Sequence, residues 1–210
     1  MKFSIIISNT KRSEKYIDAI IEKKYYPNEI IYLHNKKNLK FFKKIEKKFK
    51  FFSKIKKFNS LIINKNIGQY ILRKKEKYFI YSGYPGIIVK DSNVLKNKYL
   101  IHFHPGKLPK FKGSTTIYYG LLVEKKIHCT TLRLNQKIDE GNIIQVFKYP
   151  IPKDIKKIDN DYDDYIRVQN LIKFLNSPRR KLKKTSNNFF SHYYVIHPVL
   201  RSMVFKKFNK

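Results

Sequence analysis

Arginine is scarce in this chain although positive charge is not. Lys and Arg together number 47, but only seven are Arg, and 15 acidic residues leave a formal net charge of +32. Bidentate readers of phosphate and of bases favour Arg, so its scarcity speaks against a dedicated sequence-reading nucleic-acid protein. Two readings of the charge stay open. A basic surface could meet nucleic acid, an anionic membrane or a phosphorylated substrate. An AT-rich coding sequence would give the same excess of Lys, Ile, Asn, Tyr and Phe and the same shortage of glycine. Either way, non-specific attraction to anions follows, and salt weakens it.

Cysteine is nearly absent as well. The single Cys129 excludes an intrachain disulfide and a Cys-based zinc cluster. It lies in the apolar pattern Ile127, Cys129, Thr131, which predicts a buried structural thiol. Long hydrophobic runs are lacking too. Phe3, Ile5, Ile6 and Ile7 form an apolar run too short for a signal-peptide core or a membrane span. The expected compartment is therefore the cytoplasm.

What is present is a foldable α/β pattern. The 210 residues suit one domain with a small appendage, and a hydrophobic content of 42% argues against disorder. Phe3 to Ser8 reads as a buried parallel strand. Ser13 to Lys24 reads as a helix with Tyr16, Ile17, Ile20 and Ile21 on one face, and Glu29 to His34 as a second strand. Residues 36 to 58 carry Phe41, Phe42, Ile45, Phe49 and Phe52 at helical spacing, which predicts one amphipathic helix with a Lys-covered outer face. Such a helix could lie on a membrane; packing on a sheet is the plainer expectation. A helix over 64–75, a strand from Tyr78, a short helix capped by Asp91, and strands over 99–104, 127–135 and 141–151 follow. Ser114 or Thr115 is expected to cap a helix running to about Lys126. Strands alternating with helices predict a mostly parallel open sheet. After Pro152 the composition shifts to an acidic patch, a basic patch (Arg179 to Lys184) and a final apolar stretch.

Chemistry concentrates in two segments. In Leu100-Ile101-His102-Phe103-His104-Pro105-Gly106, alternation puts His102 and His104 on one face of a strand. The strand ends there, and open parallel sheets bind ligands at the carboxyl ends of their strands. A histidine titrates near neutral pH and can act as a general base. In Asn135-Gln136-Lys137-Ile138-Asp139-Glu140-Gly141, Asp139 lies on a neighbouring loop, from which a carboxylate can orient a histidine and stabilise its charged form. The alternatives are core or surface histidines, a turn aspartate before Gly141, and a zinc site using His-x-His with Asp139. Asp159 to Asp164 lacks the central Gly and the distal Glu of a calcium loop. It reads instead as an acidic helix start, or as the edge of a pocket that attracts an amine. Tyr193 to Leu200 reads as packing for the C-terminal part.

The run His-Pro-Gly-Lys-Leu-Pro-Lys-Phe-Lys-Gly from His104, followed by Ile-Asp-Glu-Gly-Asn-Ile-Ile from Ile138, resembles the folate-dependent formyltransferases. The likeness is best over residues 78 to 151. It implies an α/β, Rossmann-like open, mostly parallel sheet with helices on both faces and a short C-terminal extension. Residues 1–152 would be the catalytic domain and residues 153–210 the extension packed on its core. It implies 10-formyltetrahydrofolate as co-substrate, a primary amine as acceptor, and no metal. His104 matches the family's histidine and Asp139 its aspartate. His102 stands where the family has Asn, whose hydrogen bond serves the formyl oxygen; a histidine with the right tautomer could donate instead. Ser82, Gly83, Tyr84 and Gly86 fall where the family has a loop near the pterin, and Leu108, Ile138 and Gly141 flank the active-site motifs. Only about 58 residues follow Pro152, fewer than the second domain of the methionyl-tRNA enzymes. The expected acceptor is accordingly an amino sugar on a nucleotide, while the charge points to tRNA. Donor hydrolysis and non-catalytic nucleic-acid binding are the other readings.

Overall fold

The computed structural model describes residues 1–35, 39–49, 52–84, 89, 91–177 and 192–208. Gly86, the basic patch over 179–184, and part of the 36–58 stretch lie outside them. A seven-stranded sheet runs in the order β3-β2-β1-β4-β5-β7-β8, flanked by helices. Its strands are β1 (Phe3–Ser8), β2 (Glu29–Leu33), β3 (Lys54–Phe58), β4 (Tyr78–Ser82), β5 (Tyr99–His104), β7 (Ile127–Arg133) and β8 (Asn142–Tyr149). The pairings of β1 with β2 and β4, of β2 with β3, and of β4 with β5 are parallel. The fold class thus agrees with the alternation in the sequence.

Two compact units make up the chain. The first holds Met1–His102 and Arg133–Lys137, the second Phe103–Leu132 and Ile138–Lys210. In the first, every residue of β1 and β2 is buried, as expected of central strands covered on both faces. Helix α1 (Lys11–Glu22) starts where the Thr10 hydroxyl accepts the Ser13 N–H, at 3.1 Å, and buries Tyr16, Ile17 and Ile20. Helix α3 (Lys65–Leu72) is capped by Asn64, and α4 (Ser92–Asn97) by Asp91. Ile67, Ile71, Phe79, Val94 and Leu100 join Ile6 and Ile31 in one apolar cluster.

The expected helix over 36–58 is half right. Helix α2 spans Leu39–Phe49 and buries Phe42, Ile45 and Phe49. The chain then leaves the helix, and Lys54–Phe58 becomes β3 beside β2. Phe52 kept the helical spacing by coincidence: it is 56% exposed and stacks on Tyr26. The lysines of β3 suit a strand at the end of the sheet order, where charge discourages further pairing.

In the second unit, a two-residue strand β6 (Lys112–Gly113) pairs with β9 (His192–Tyr193). Helix α5 (Thr116–Glu124) begins at Thr115, but neither Ser114 nor Thr115 caps it by a side-chain bond. Thr115 has φ 49°, and its hydroxyl instead donates to the Tyr194 carbonyl and accepts the Ile196 N–H. The acidic run Asp159 to Asp164 does open a helix, α6 (Asp163–Asn176). Asn170 on α6 donates to the Cys129 carbonyl, and Cys129 is fully buried. The chain ends in α7 (Pro198–Phe208). Its entry segment is only partly packing: Ile196 is buried, whereas Tyr194 is 81% and Val195 74% exposed.

Candidate functional site

Strand β5 stops at His104 because Pro105 and Gly106 follow, and the Gly106 N–H turns back onto the His104 carbonyl. The imidazole of His104 is 2% exposed. Its Nδ1 is 3.3 Å from Asp139 Oδ1, and its Nε2 is 2.7 Å from the Phe111 carbonyl oxygen. The Thr116 hydroxyl donates to the Pro105 carbonyl and lies 3.5 Å from Nε2. The sequence-predicted pair, His104 and Asp139, is therefore brought together.

Both acceptors cannot be served by a neutral ring, which carries one N–H. Asp139 and the Phe111 carbonyl favour the doubly protonated form. Burial opposes them and pulls the His104 pKa below its ordinary value; Asp139 raises it and Arg167 lowers it again. The net direction is downward, so the ring rests as a base. Asp139 itself sits at φ 53°, a left-handed conformation that Asp tolerates. Its Oδ2 accepts the Gly113 N–H at 2.8 Å, and His192 Nε2 lies 3.4 Å from the carbonyl of the preceding Ile138. Glu140, the next residue, pairs with the buried Lys112 at 2.9 Å. The loop bearing Asp139 is thus held on both sides.

Gly106 is needed for this packing. A Cβ there would come 2.8 Å from His104 Nε2 and 2.9 Å from the Phe111 carbonyl oxygen. Leu108 is buried, its N–H donating to the Thr130 hydroxyl at 3.1 Å. Ile138 is 42% exposed and Gly141 is buried.

In the first unit, His102 Nδ1 lies 3.3 Å from the Tyr81 carbonyl oxygen. A carbonyl only accepts, so Nδ1 carries the proton and, in the neutral ring, Nε2 offers a lone pair. To donate from Nε2, His102 must be protonated. Ser82 and Gly83 are buried and Tyr84 is exposed. Arg12 pins this loop, donating to Ser82 Oγ at 3.2 Å and to the Gly83 carbonyl at 2.6 Å. The buried Tyr81 hydroxyl has no hydrogen-bond partner among the described residues, and its pKa is pushed up to about 12 by burial.

Two arginines carry no motif that would single them out. Arg12 holds the Ser82–Gly83 backbone, and Arg167 on α6 donates to the Phe103 carbonyl at 2.5 Å. The composition did hold a signal for them. Where Lys serves almost everywhere, Arg12 and Arg167 stand where a planar forked donor does what an ammonium cannot. Two carboxylates of the acidic run already have partners. Asp163 is bound by Arg167, and Asp159 by the Tyr118 hydroxyl and Arg201 at the wall of a cavity of about 480 Å³. No group of three or more His, Cys, Asp or Glu among the described residues could hold a metal ion.

Solved structures similar to the chain share one theme. A sugar N-formyltransferase from Shewanella sp. superposes with a TM-score of 0.66 at 14% identity, over 97% of this chain and 86% of that one. The chain has the fold of the formyltransferases. An N-formyltransferase from Helicobacter canadensis matches at TM-score 0.59 and 19% identity, over 92% of this chain and 71% of that one. A methionyl-tRNA formyltransferase from Clostridium thermocellum matches at 0.54 and 16%, over 95% and 74%. No protein-family model matches the sequence, and no curated protein does.

Proposed function

We propose that this protein moves a formyl group from 10-formyltetrahydrofolate to a primary amine, and that the amine belongs to a sugar carried on a nucleotide. The buried His104–Asp139 pair carries the proposal. It stands at the end of β5, on the fold that formyltransferases share, in the motif order that suggested the chemistry. The acceptor class draws on the sugar N-formyltransferases among the similar structures, one of which holds folinic acid and dTDP-3-aminofucose. Residues 1–152 would carry the chemistry, and residues 153–210 would support it.

Bound 10-formyltetrahydrofolate would supply an activated formyl carbon: the amine nitrogen adds to it, negative charge develops on the formyl oxygen, and the bond to N10 then breaks. His104 takes the proton that the amine sheds and, as the acid, returns it to N10 as tetrahydrofolate leaves. Asp139 holds the ring and stabilises its cationic form. Because Nε2 faces the Phe111 carbonyl, an incoming amine must displace that carbonyl to reach it. A protonated His102 donates from Nε2 towards developing negative charge, where the family uses an Asn amide. Ser82, Gly83, Tyr84 and Gly86, with Leu108, Ile138 and Gly141, would hold the folate. The unsatisfied Tyr81 hydroxyl beside Gly83 fits a polar heterocycle at that loop.

The test is an acceptor panel with 10-formyltetrahydrofolate: nucleotide-linked amino sugars, methionyl-tRNA and glycinamide ribonucleotide. Saturable formylation of an amino sugar supports the reading. Saturable formylation of the tRNA instead overturns the acceptor class, and formate release without any acceptor overturns transfer in favour of hydrolysis.

A further inference from the structure

Arg167 is the unusual residue of the second unit. It is 8% exposed, on a helix that starts 59 positions after the catalytic histidine, and no motif marks it. Its Nε and Nη2 bind the two oxygens of Asp163 at 2.7 and 3.3 Å, one turn earlier on α6. Its Nη1 donates to the Phe103 carbonyl at 2.5 Å. A buried guanidinium is costly and persists where its bonds are satisfied. Lysine, which this chain otherwise prefers, could not make the fork to Asp163 and reach the carbonyl as well.

The carbonyl that Arg167 holds belongs to the peptide joining Phe103 to His104. That peptide is planar up to the His104 Cα, so holding its oxygen restrains the plane from which the His104 side chain departs. The same guanidinium sets a positive charge near the imidazole, with Asp163 set against it. We propose that Arg167, braced by Asp163, is a positioning residue for His104. It aims the ring by its main chain and biases the ring towards its base form. The proposal rests on His104 being the base of the reaction.

The charged groups facing His104 are Asp139 from the loop before β8 and Arg167 and Asp163 from α6; the Phe111 carbonyl adds a dipole. Asp139 and Asp163 favour the cation, and Arg167 disfavours it. The two partners on α6 therefore act with opposite sign. Removing the Arg167 charge raises the His104 pKa, and removing the Asp163 charge lowers it. A role in packing alone would not separate them so.

The experiment follows the ring proton of His104 by NMR over pH in the full chain without substrate, its signal assigned by its loss in His104→Ala. Arg167→Met is expected to move the titration up in pH, Asp163→Asn to move it down, and Arg167→Lys to leave it near the wild type. Shifts of one sign in Met and Asn variants, or none in either, overturn the proposal. If Arg167→Met does not fold, Asp163→Asn decides alone: a downward shift supports the proposal, and no shift overturns it. Turnover is read in parallel, and Arg167→Met is expected to lose about 10²-fold in rate through misplacement of the base. Opposite titration shifts in a protein that never turns over 10-formyltetrahydrofolate would uphold the positioning while sinking the formyl-transfer reading, so the two failures are told apart.

Discussion

His104 and Asp139 are the residues on which the account turns. General acid–base groups contribute about 10²–10⁴-fold, so His104→Ala and Asp139→Asn should each lower the acceptor-dependent rate by that order while the melting transition stays cooperative. Burial holds His104 below its ordinary pKa. If the base form is the active one, then in the His102→Asn variant, which carries no second titrating ring at the site, kcat/KM should stay level as pH falls through the usual histidine range and decline only below it. A midpoint at or above the model-peptide value of about 6.5 would contradict this. His102 tests the departure from the family. Losing an oxyanion donor costs about 10²–10³-fold, so His102→Ala should lose that much and His102→Asn should recover it. Cys129 belongs to the core: burial pushes its thiol pKa up, and a thiol reagent should label it only on unfolding.

Among the elements, β6 and β9 show how two-residue strands shape a site. Gly113 has φ 97°, and a Cβ there would lie 2.2 Å from the Tyr193 carbonyl oxygen. Its N–H also holds Asp139. Gly113→Ala should therefore destabilise the protein by about 1–3 kcal/mol and lower activity more than that loss of folded protein explains; a denaturant titration beside the rate measurement checks both. At this scale the sequence was legible where one force dominates. β1 and β2 are mostly apolar and buried throughout, and Asn64 and Asp91 are caps with free donors to meet. It was illegible where distant residues decide. Thr115 looked like a cap, but the Tyr194 carbonyl and the Ile196 N–H, about 80 residues away, claim its hydroxyl. Lys54–Phe58 looked helical because Phe52 kept the period, and only pairing with β2 makes it a strand. The candidate pair could be read from motif order, whereas Arg12 and Arg167 act on main-chain carbonyls that no sequence pattern announces.

For the molecule as a whole, charge is the dominant physical property. A net +32 should draw the protein to any polyanion, and the affinity should fall steeply with added salt, because counterion release then gains less. Fluorescence anisotropy on unrelated duplexes is expected to show equal, salt-sensitive binding. Marked preference for one sequence or for one tRNA would instead mark the charge as selected for a nucleic-acid partner. No described helix is long and apolar enough to cross a membrane. Over nine-tenths or more of its length the chain shares the formyltransferase fold at low identity, so the likeness lies in the fold rather than in the sequence.

The most direct test is tetrahydrofolate release from 10-formyltetrahydrofolate, followed with and without a nucleotide-linked amino sugar, for the wild type and His104→Ala side by side. The account predicts release that depends on the acceptor and is lost in the variant. Absence of release with every amine, or equal release by the two proteins, would contradict it.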